Sequence, residues 1–201
     1  MAEVHPIVVK ALKCIDEIYP SENTLNETYL PADAFIDEAV RWVIDVVPSH
    51  ELTIREKFSV TVERVSNDGV GSGTIDAEVG RIVYFKANDW KRPVFGVITE
   101  NDPLYKQQSN KVLRGNPSRP VVALVFEDGG SGTDRKLEWY TVNNIGFQAI
   151  HVPYSVDSIP SRLYDITAWK LAEIVLMSMH DTQGASICTS KVNEHLEILA
   201  L

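Results

Sequence analysis

The strongest constraint on this chain is a change of hydrophobic rhythm: apolar residues recur at helical spacing near both ends and at every second residue in the middle. Val8, Ala11 or Leu12, Ile15 and Ile18 predict a first helix over Ile7 to Ile18 that stops before Pro20. A polar connector, SENTLNETYLP, leads to DAFIDEAVRWVIDVVP, where Phe35, Ala39, Val43 and Val46 form one stripe flanked by Ile36, Val40, Ile44 and Val47. Asp33 is the expected cap of this second helix and Pro48 its end. So wide an apolar arc predicts a helix nearly engulfed by its neighbours.

From Phe58 the period becomes two. FSVTVERV sets Phe58, Val60 and Val62 against Ser59, Thr61 and Glu63, as in a half-buried strand. Further strands are expected at Gly80 to Lys86, Pro93 to Thr99, Pro120 to Phe126 and Lys136 to Val142, the last two joined by EDGGSGTDR as a hairpin with a flexible tip. No helix-length crossover separates these runs, so the pairing should be mostly antiparallel. After Pro153 helical spacing returns, through Leu163, Ile166 or Thr167, Leu171, and Ile174 or Val175, with Ser158 or Ser161 as cap and Pro160 in the first turn. HDTQG should form a bend before a closing helix striped by Ala185, Cys188, Val192, Leu196 and Leu199. The expected fold is therefore α+β: N-terminal helices (1–57), a central β region (58–152) and a C-terminal helical hairpin (153–201). The terminal helices pack together and the sheet region projects from them. No internal repeat or heptad run is present.

Composition narrows the function. With 201 residues, 44% of them hydrophobic, the chain can bury a real core. A formal net charge of -9 argues against a broad basic face that grips nucleic acid, but it suits a wall that DNA passes without sticking. Cys14 and Cys188 lie far apart without a metal-ligand partner at close spacing, and read as buried thiols of a reducing compartment. The start of the chain lacks the pattern of a signal peptide, and no apolar run approaches the roughly 18 residues of a membrane span. Asn26-Glu27-Thr28 matches a glycosylation sequon that has no meaning without secretion.

No residue pattern spells out a reaction. NDGVGSGTIDAE places Gly69, Gly71 and Gly73 as a phosphate cradle would, yet no Lys-Ser or Lys-Thr follows and no helix opens, so a mobile loop is expected. His5, His50, His151, His180 and His195 are scattered without HxH or HExxH spacing, although His180 and His195 could meet across the final hairpin. No GxSxG elbow appears, and the paired carboxylates Asp37-Glu38 and Glu127-Asp128 are sequence neighbours whose side chains diverge. No catalytic residue, metal ligand or cofactor is assigned; an enzyme would need a site assembled only by folding.

The segment WKRPVFGVITENDPLYKQQSN, Trp90 to Asn110, reads differently. Trp90, Tyr105 and Arg92 are the residue types that anchor protein interfaces, and Pro93 and Pro103 stiffen the approaches. With Lys91, Gln107, Asn110 and Arg114 they make up the candidate interface, together with Pro93 itself. The alternative, equally open, is that Trp90 and Tyr105 cap the core of the sheet.

The pattern resembles the ring, or head-to-tail connector, proteins of crAss-like tailed bacteriophages. The resemblance lies in LPADAFIDEAVRWVIDVVPSHEL, in GRIVYFKANDWKRPV followed by DPLYKQQSNKVLRGNPSRPVVAL, and in LYDITAWKLAEIVLMSMHDTQGASICTSKVNEHLEIL, about half of the chain. It implies a non-enzymatic virion protein of the neck and tail, made in the host bacterial cytoplasm. About a dozen copies would form a ring that contacts the portal protein and adjacent connector or tail proteins, with DNA only as passing cargo and no membrane. The readings from other classes are an assembly chaperone or interaction module that leaves before the particle matures, and a small hydrolase.

Overall fold

The computed structural model describes residues 4–19, 32–58, 60–66, 68–76, 78–129, 132–143 and 146–199. The helices are α1 (Pro6–Ile18), α2 (Ala32–Val46), α3 (Pro103–Gln107), α4 (Tyr164–Ser178) and α5 (Thr182–Leu199). The strands are β1 (Glu56–Lys57), β2 (Thr61–Val65), β3 (Val70–Thr74), β4 (Arg81–Ala87), β5 (Ile98–Thr99), β6 (Val122–Gly129), β7 (Gly132–Tyr140) and β8 (Phe147–Val152). The fold is α+β, and the chain divides into a helical unit, Met1–Ile54 with Tyr154–Leu201, and a β unit, Arg55–Pro153. Among the described residues no helix is long and apolar enough to cross a membrane. The polar connector at 21–31, the sequon within it and the hairpin tip at 130–131 lie outside the described residues.

In the helical unit α1 begins as its sequence predicts. Pro6 occupies the first turn, where a missing N–H costs nothing, and the His5 ring caps the helix by accepting from the Ile7 N–H at 3.3 Å. Ile7, Val8, Ala11, Cys14 and Ile15 form its buried stripe. The α2 stripe is rotated from the expected one: Ala39, Val40, Val43, Ile44 and Val47 are buried, whereas Phe35 is half-buried and Val46 is exposed. Asp33 lies inside the first turn, exposed, rather than at the cap.

The engulfed helix is α4, which packs against α1, α2 and α5 and buries Ile166, Thr167, Ala168, Leu171, Ala172, Val175 and Leu176 around most of its circumference. Ala168 and Ala172 keep that surface low, and the buried Thr167 hydroxyl donates to the Leu163 carbonyl at 2.8 Å. Neither expected serine caps α4: Ser155 caps a short turn at Val156–Ser158, and Pro160 precedes a second at Ser161–Leu163. The bend before α5 is tighter than expected, with Thr182, Gln183 and Gly184 already helical. Asp181 caps α5 by accepting from the Gly184 N–H at 2.9 Å, and it also accepts from the Tyr19 hydroxyl at the end of α1. The Tyr19 bond first and the Gly184 bond second hold its carboxyl below the usual range.

The β unit has two sheets. One has the order β1-β8-β4 and the other β2-β3-β7-β6-β5, with every pairing antiparallel except β5 with β6. Side chains from both meet in one core, in which the Phe85 ring contacts Trp90, Trp139 and Phe147 at centroid distances of 5.7, 5.6 and 5.0 Å. Along β7 Leu137 and Trp139 point into this core, while Tyr140 points to a second cluster with Ala123 and Val125 on the opposite face. The hairpin of β6 and β7 is present, paired out to Gly129 and Gly132.

Two sequence expectations are corrected here, and one strand goes unpredicted. The glycine motif is no loop: Val70–Thr74 is an inner strand paired on both sides. A Cβ on Gly71 would lie 2.3 Å from the Trp139 indole, so the residue paired with Trp139 must be glycine for the ring to lie flat against the strand. The Trp139 indole N–H is buried without a hydrogen-bond partner. PVFGVIT is strand only at its last two residues and otherwise irregular, touching β4 through the Phe85 and Val94 backbones. FQAIHV, unassigned from sequence, is the central strand of the smaller sheet.

Two predictions follow from this packing. Gly71→Val overpacks the indole and lowers stability by about 1–3 kcal/mol or more in urea titration; an unchanged midpoint refutes the close approach. His151 is buried, and its Nδ1 accepts from the Gly80 N–H at 2.9 Å, which requires a neutral ring. Burial lowers its pKa, Arg135 adds to that, and Glu56 opposes it. The folded state therefore holds the neutral form more tightly than the unfolded chain does. Stability is complete above about pH 6.5 and falls below it by at most about 1.4 kcal/mol per pH unit. His151→Gln, whose amide oxygen can accept the same bond, should flatten melting temperature against pH between 7.5 and 5.

Candidate functional site

The strap from Trp90 to Arg119 supplies β5 at the edge of the five-stranded sheet and packs on both of its faces, and two of its three aromatics, Trp90 and Tyr105, are used in attaching it. Trp90 is 3% exposed in the core between the sheets, and its indole N–H donates to the Tyr140 carbonyl at 3.0 Å. Tyr105, half-buried on α3, packs in the outer cluster with Tyr140, Val70 and Ile98. The expectation of Trp90 as an interface anchor is therefore corrected: the ring is withdrawn from solvent because it fills the space beside Phe85. The core-capping alternative describes it.

The strap is stitched by polar contacts that sequence gave no reason to single out. Gln108 is buried; its Nε2 donates to the Leu104 carbonyl at 2.7 Å and its Oε1 accepts from the Gly115 N–H at 2.8 Å, closing one turn against another. Arg114 is a clamp rather than a free cation. Its Nε donates to the Gln108 carbonyl at 2.8 Å, an Nη to the Asp68 carbonyl at 2.9 Å, and its guanidinium stands 5.9 Å from the Tyr140 ring centre. Lys111 pairs with Asp68 at 2.5 Å and draws that carboxyl below its usual range. Asp102 caps α3 by accepting from Leu104 at 2.8 Å, and the Lys91 N–H donates to Pro117 at 2.9 Å.

The strap then presents an outer surface. Lys91, Arg92, Gln107 and Asn110 are exposed, Pro93 is half-buried, and the Asn110 side chain accepts from the Val112 N–H within its own turn. On the same segment Val112 is 88% exposed, Phe95 73%, with its ring edge-on to Tyr84 at 6.0 Å, Leu113 59% and Leu104 47%. Sequence reasoning missed these four. The available signal was the pair Val112-Leu113 between Asn110 and Gly115, apolar residues with no periodic partner. Among the described residues no ion pair engages Lys91, Arg92, Lys106 or Arg119.

A cavity of about 310 Å³ opens in the strap, lined by Val70, Tyr105, Arg114, Glu138 and Tyr140. The Tyr140 hydroxyl donates to Glu138 at 2.7 Å, and burial followed by that carboxylate pushes the phenol upward, so it stays protonated. In the helical unit Cys14 and Cys188 are free and buried; burial, followed by nearby carboxylates, pushes both thiols up to about 12, which keeps them neutral. Among the described residues no three His, Cys, Asp or Glu side chains gather as a metal site would require.

Charge divides unevenly. The helical unit carries 6 Lys and Arg against 16 Asp and Glu, the β unit 13 against 12, so the net charges are -10 and +1. Comparison of the chain with protein-family models and with curated proteins finds no match.

Fold and surface roles of the strap separate by mutation. Trp90→Ala should lower stability by about 3–5 kcal/mol, whereas Arg92→Ala should stay within about 0.5 kcal/mol. A Trp90→Ala protein as stable as its parent in urea titration would return the ring to the surface.

Proposed function

We propose that the protein is a structural component of a tailed-phage virion: one ring of the head-to-tail connector, joining the portal to the tail and continuing the DNA channel. The observation that carries the reading is the strap surface. Four apolar side chains are exposed on a segment pinned by Trp90, Gln108 and Arg114, which also carries Lys91, Arg92, Lys106 and Arg119 without ion-pair partners among the described residues. Pinning lowers the ordering cost of association, and an exposed apolar group rimmed by charge is what a protein partner covers. The stretches that resemble connector proteins run through this segment as well as the terminal helices. A net charge of -9 suits a conduit that DNA passes without adhering.

In this reading Lys91, Arg92, Leu104, Val112 and Leu113 contact a neighbouring subunit or the next ring, and Trp90 and Arg114 hold the surface in shape. Peptide mass spectrometry of purified particles should find the protein in stoichiometric amount. Its absence overturns the reading, and recovery only with assembly intermediates would mark an assembly chaperone. Lys91→Glu with Arg92→Glu should reduce incorporation roughly tenfold or more while the isolated chain melts as the parent does.

A further inference from the structure

The charge division says what the strap surface can bind. Residues 91–119 hold six Lys and Arg against Glu100 and Asp102. Two of the six, Lys111 and Arg114, are committed to Asp68, and the other four are exposed without an ion-pair partner among the described residues. On the helical unit Asp33, Asp37 and Glu38 lie at i, i+4 and i+5 of α2, exposed and without an ion-pair partner among the described residues. The stripe is flanked by the half-buried Phe35 and Ile36. Arg41, the only cation on α2, stacks on Tyr154 at 5.6 Å, and the Tyr154 hydroxyl donates to Asp45 at 2.7 Å.

We propose that the strap surface of one copy docks on the acidic outer face of α2 in a second copy, with Lys91 and Arg92 meeting Asp37 and Glu38. The inference rests on reading residues 91–119 as a protein-binding surface. It adds the partner and the face that partner offers. Charge complementarity selects the occupant: a +4 segment meets a unit of net charge -10 in a chain that supplies both. The apolar groups fit the same choice, since Val112 and Leu113 would leave water against Phe35 and Ile36. A nucleic-acid strand, the other polyanion, suits the surface less well. Base stacking needs exposed aromatics, and of those in the strap only Phe95 is fully out, Trp90 being in the core and Tyr105 half-buried. Because the patch and its target are different surfaces, the contact repeats head to tail and either closes into a ring or runs on.

A charge swap on the full chain tests this, read as mass by light scattering and sedimentation. The parent should self-associate near 0.1 M salt and weaken roughly tenfold or more near 1 M, where the screening length falls from about 10 to about 3 Å. Lys91→Glu with Arg92→Glu should abolish association, as should Asp37→Lys with Glu38→Lys; mixing the two variants should restore it, because one supplies each reversed face. Circular dichroism confirms that both fold. A parent that stays monomeric at low salt, or variants that do not rescue each other, overturns the proposal. Binding of a labelled oligonucleotide that vanishes with Lys91→Glu and Arg92→Glu, in place of self-association, overturns it in favour of nucleic acid. A monomeric chain still found in particles sinks only this contact, and a self-associating chain absent from particles sinks only the connector reading.

Discussion

The hydrogen bond from the Trp90 indole to the Tyr140 carbonyl fixes the organisation of the β unit, because it joins the strap to the strand that divides two cores. On β7 the alternation of side chains sends Trp139 inward and Tyr140 outward, so one strand lines both clusters. A strap that enters the inner cluster through Trp90 and the outer one through Tyr105 cannot lift from either without opening a cavity. The exposed turns between these attachments hold their shape for the same reason, since Gln108 and Arg114 satisfy carbonyl and amide groups that water would otherwise pull apart. Stability and recognition thus use adjacent residues of one segment.

Legibility in the sequence followed the strength of periodic signals. The α1 stripe and the β6–β7 hairpin could be placed because apolar spacing and turn residues agreed. The central place of α4 was hidden because a helix buried on most sides has a weak stripe, while α2, with a wide arc in sequence, leaves one side in water. β3 was missed because its glycines suggest a loop; what requires them is the indole on a strand more than sixty residues away. Trp90 was ambiguous for a different reason. Its size and polar N–H suit an interface and a core equally, and only the neighbouring Phe85 and Tyr140 decide the matter.

The same partition shapes what the surface offers. Acidic groups concentrate on the helical unit, and the acids nearest the strap cations in sequence accept backbone N–H bonds, Asp89 from Asn143, Glu100 from Phe126 and Asp102 from Leu104, so that Lys91, Arg92, Lys106 and Arg119 have no ion-pair partner among the described residues. A chain with a formal net charge of -9 thereby keeps a cationic, partly apolar segment at 91–119 that the overall figure conceals.

The position of α4 has a consequence for synthesis. α1 and α2 find their partner in a helix that begins at Tyr164, after the whole β unit has been translated. Apart from the smaller contact that α1 and α2 make with each other, their apolar stripes leave the ribosome uncovered, whereas the β unit, continuous from Arg55 to Pro153, can close as soon as its last strand emerges. The β unit can therefore close first, while α1 and α2 wait for α4.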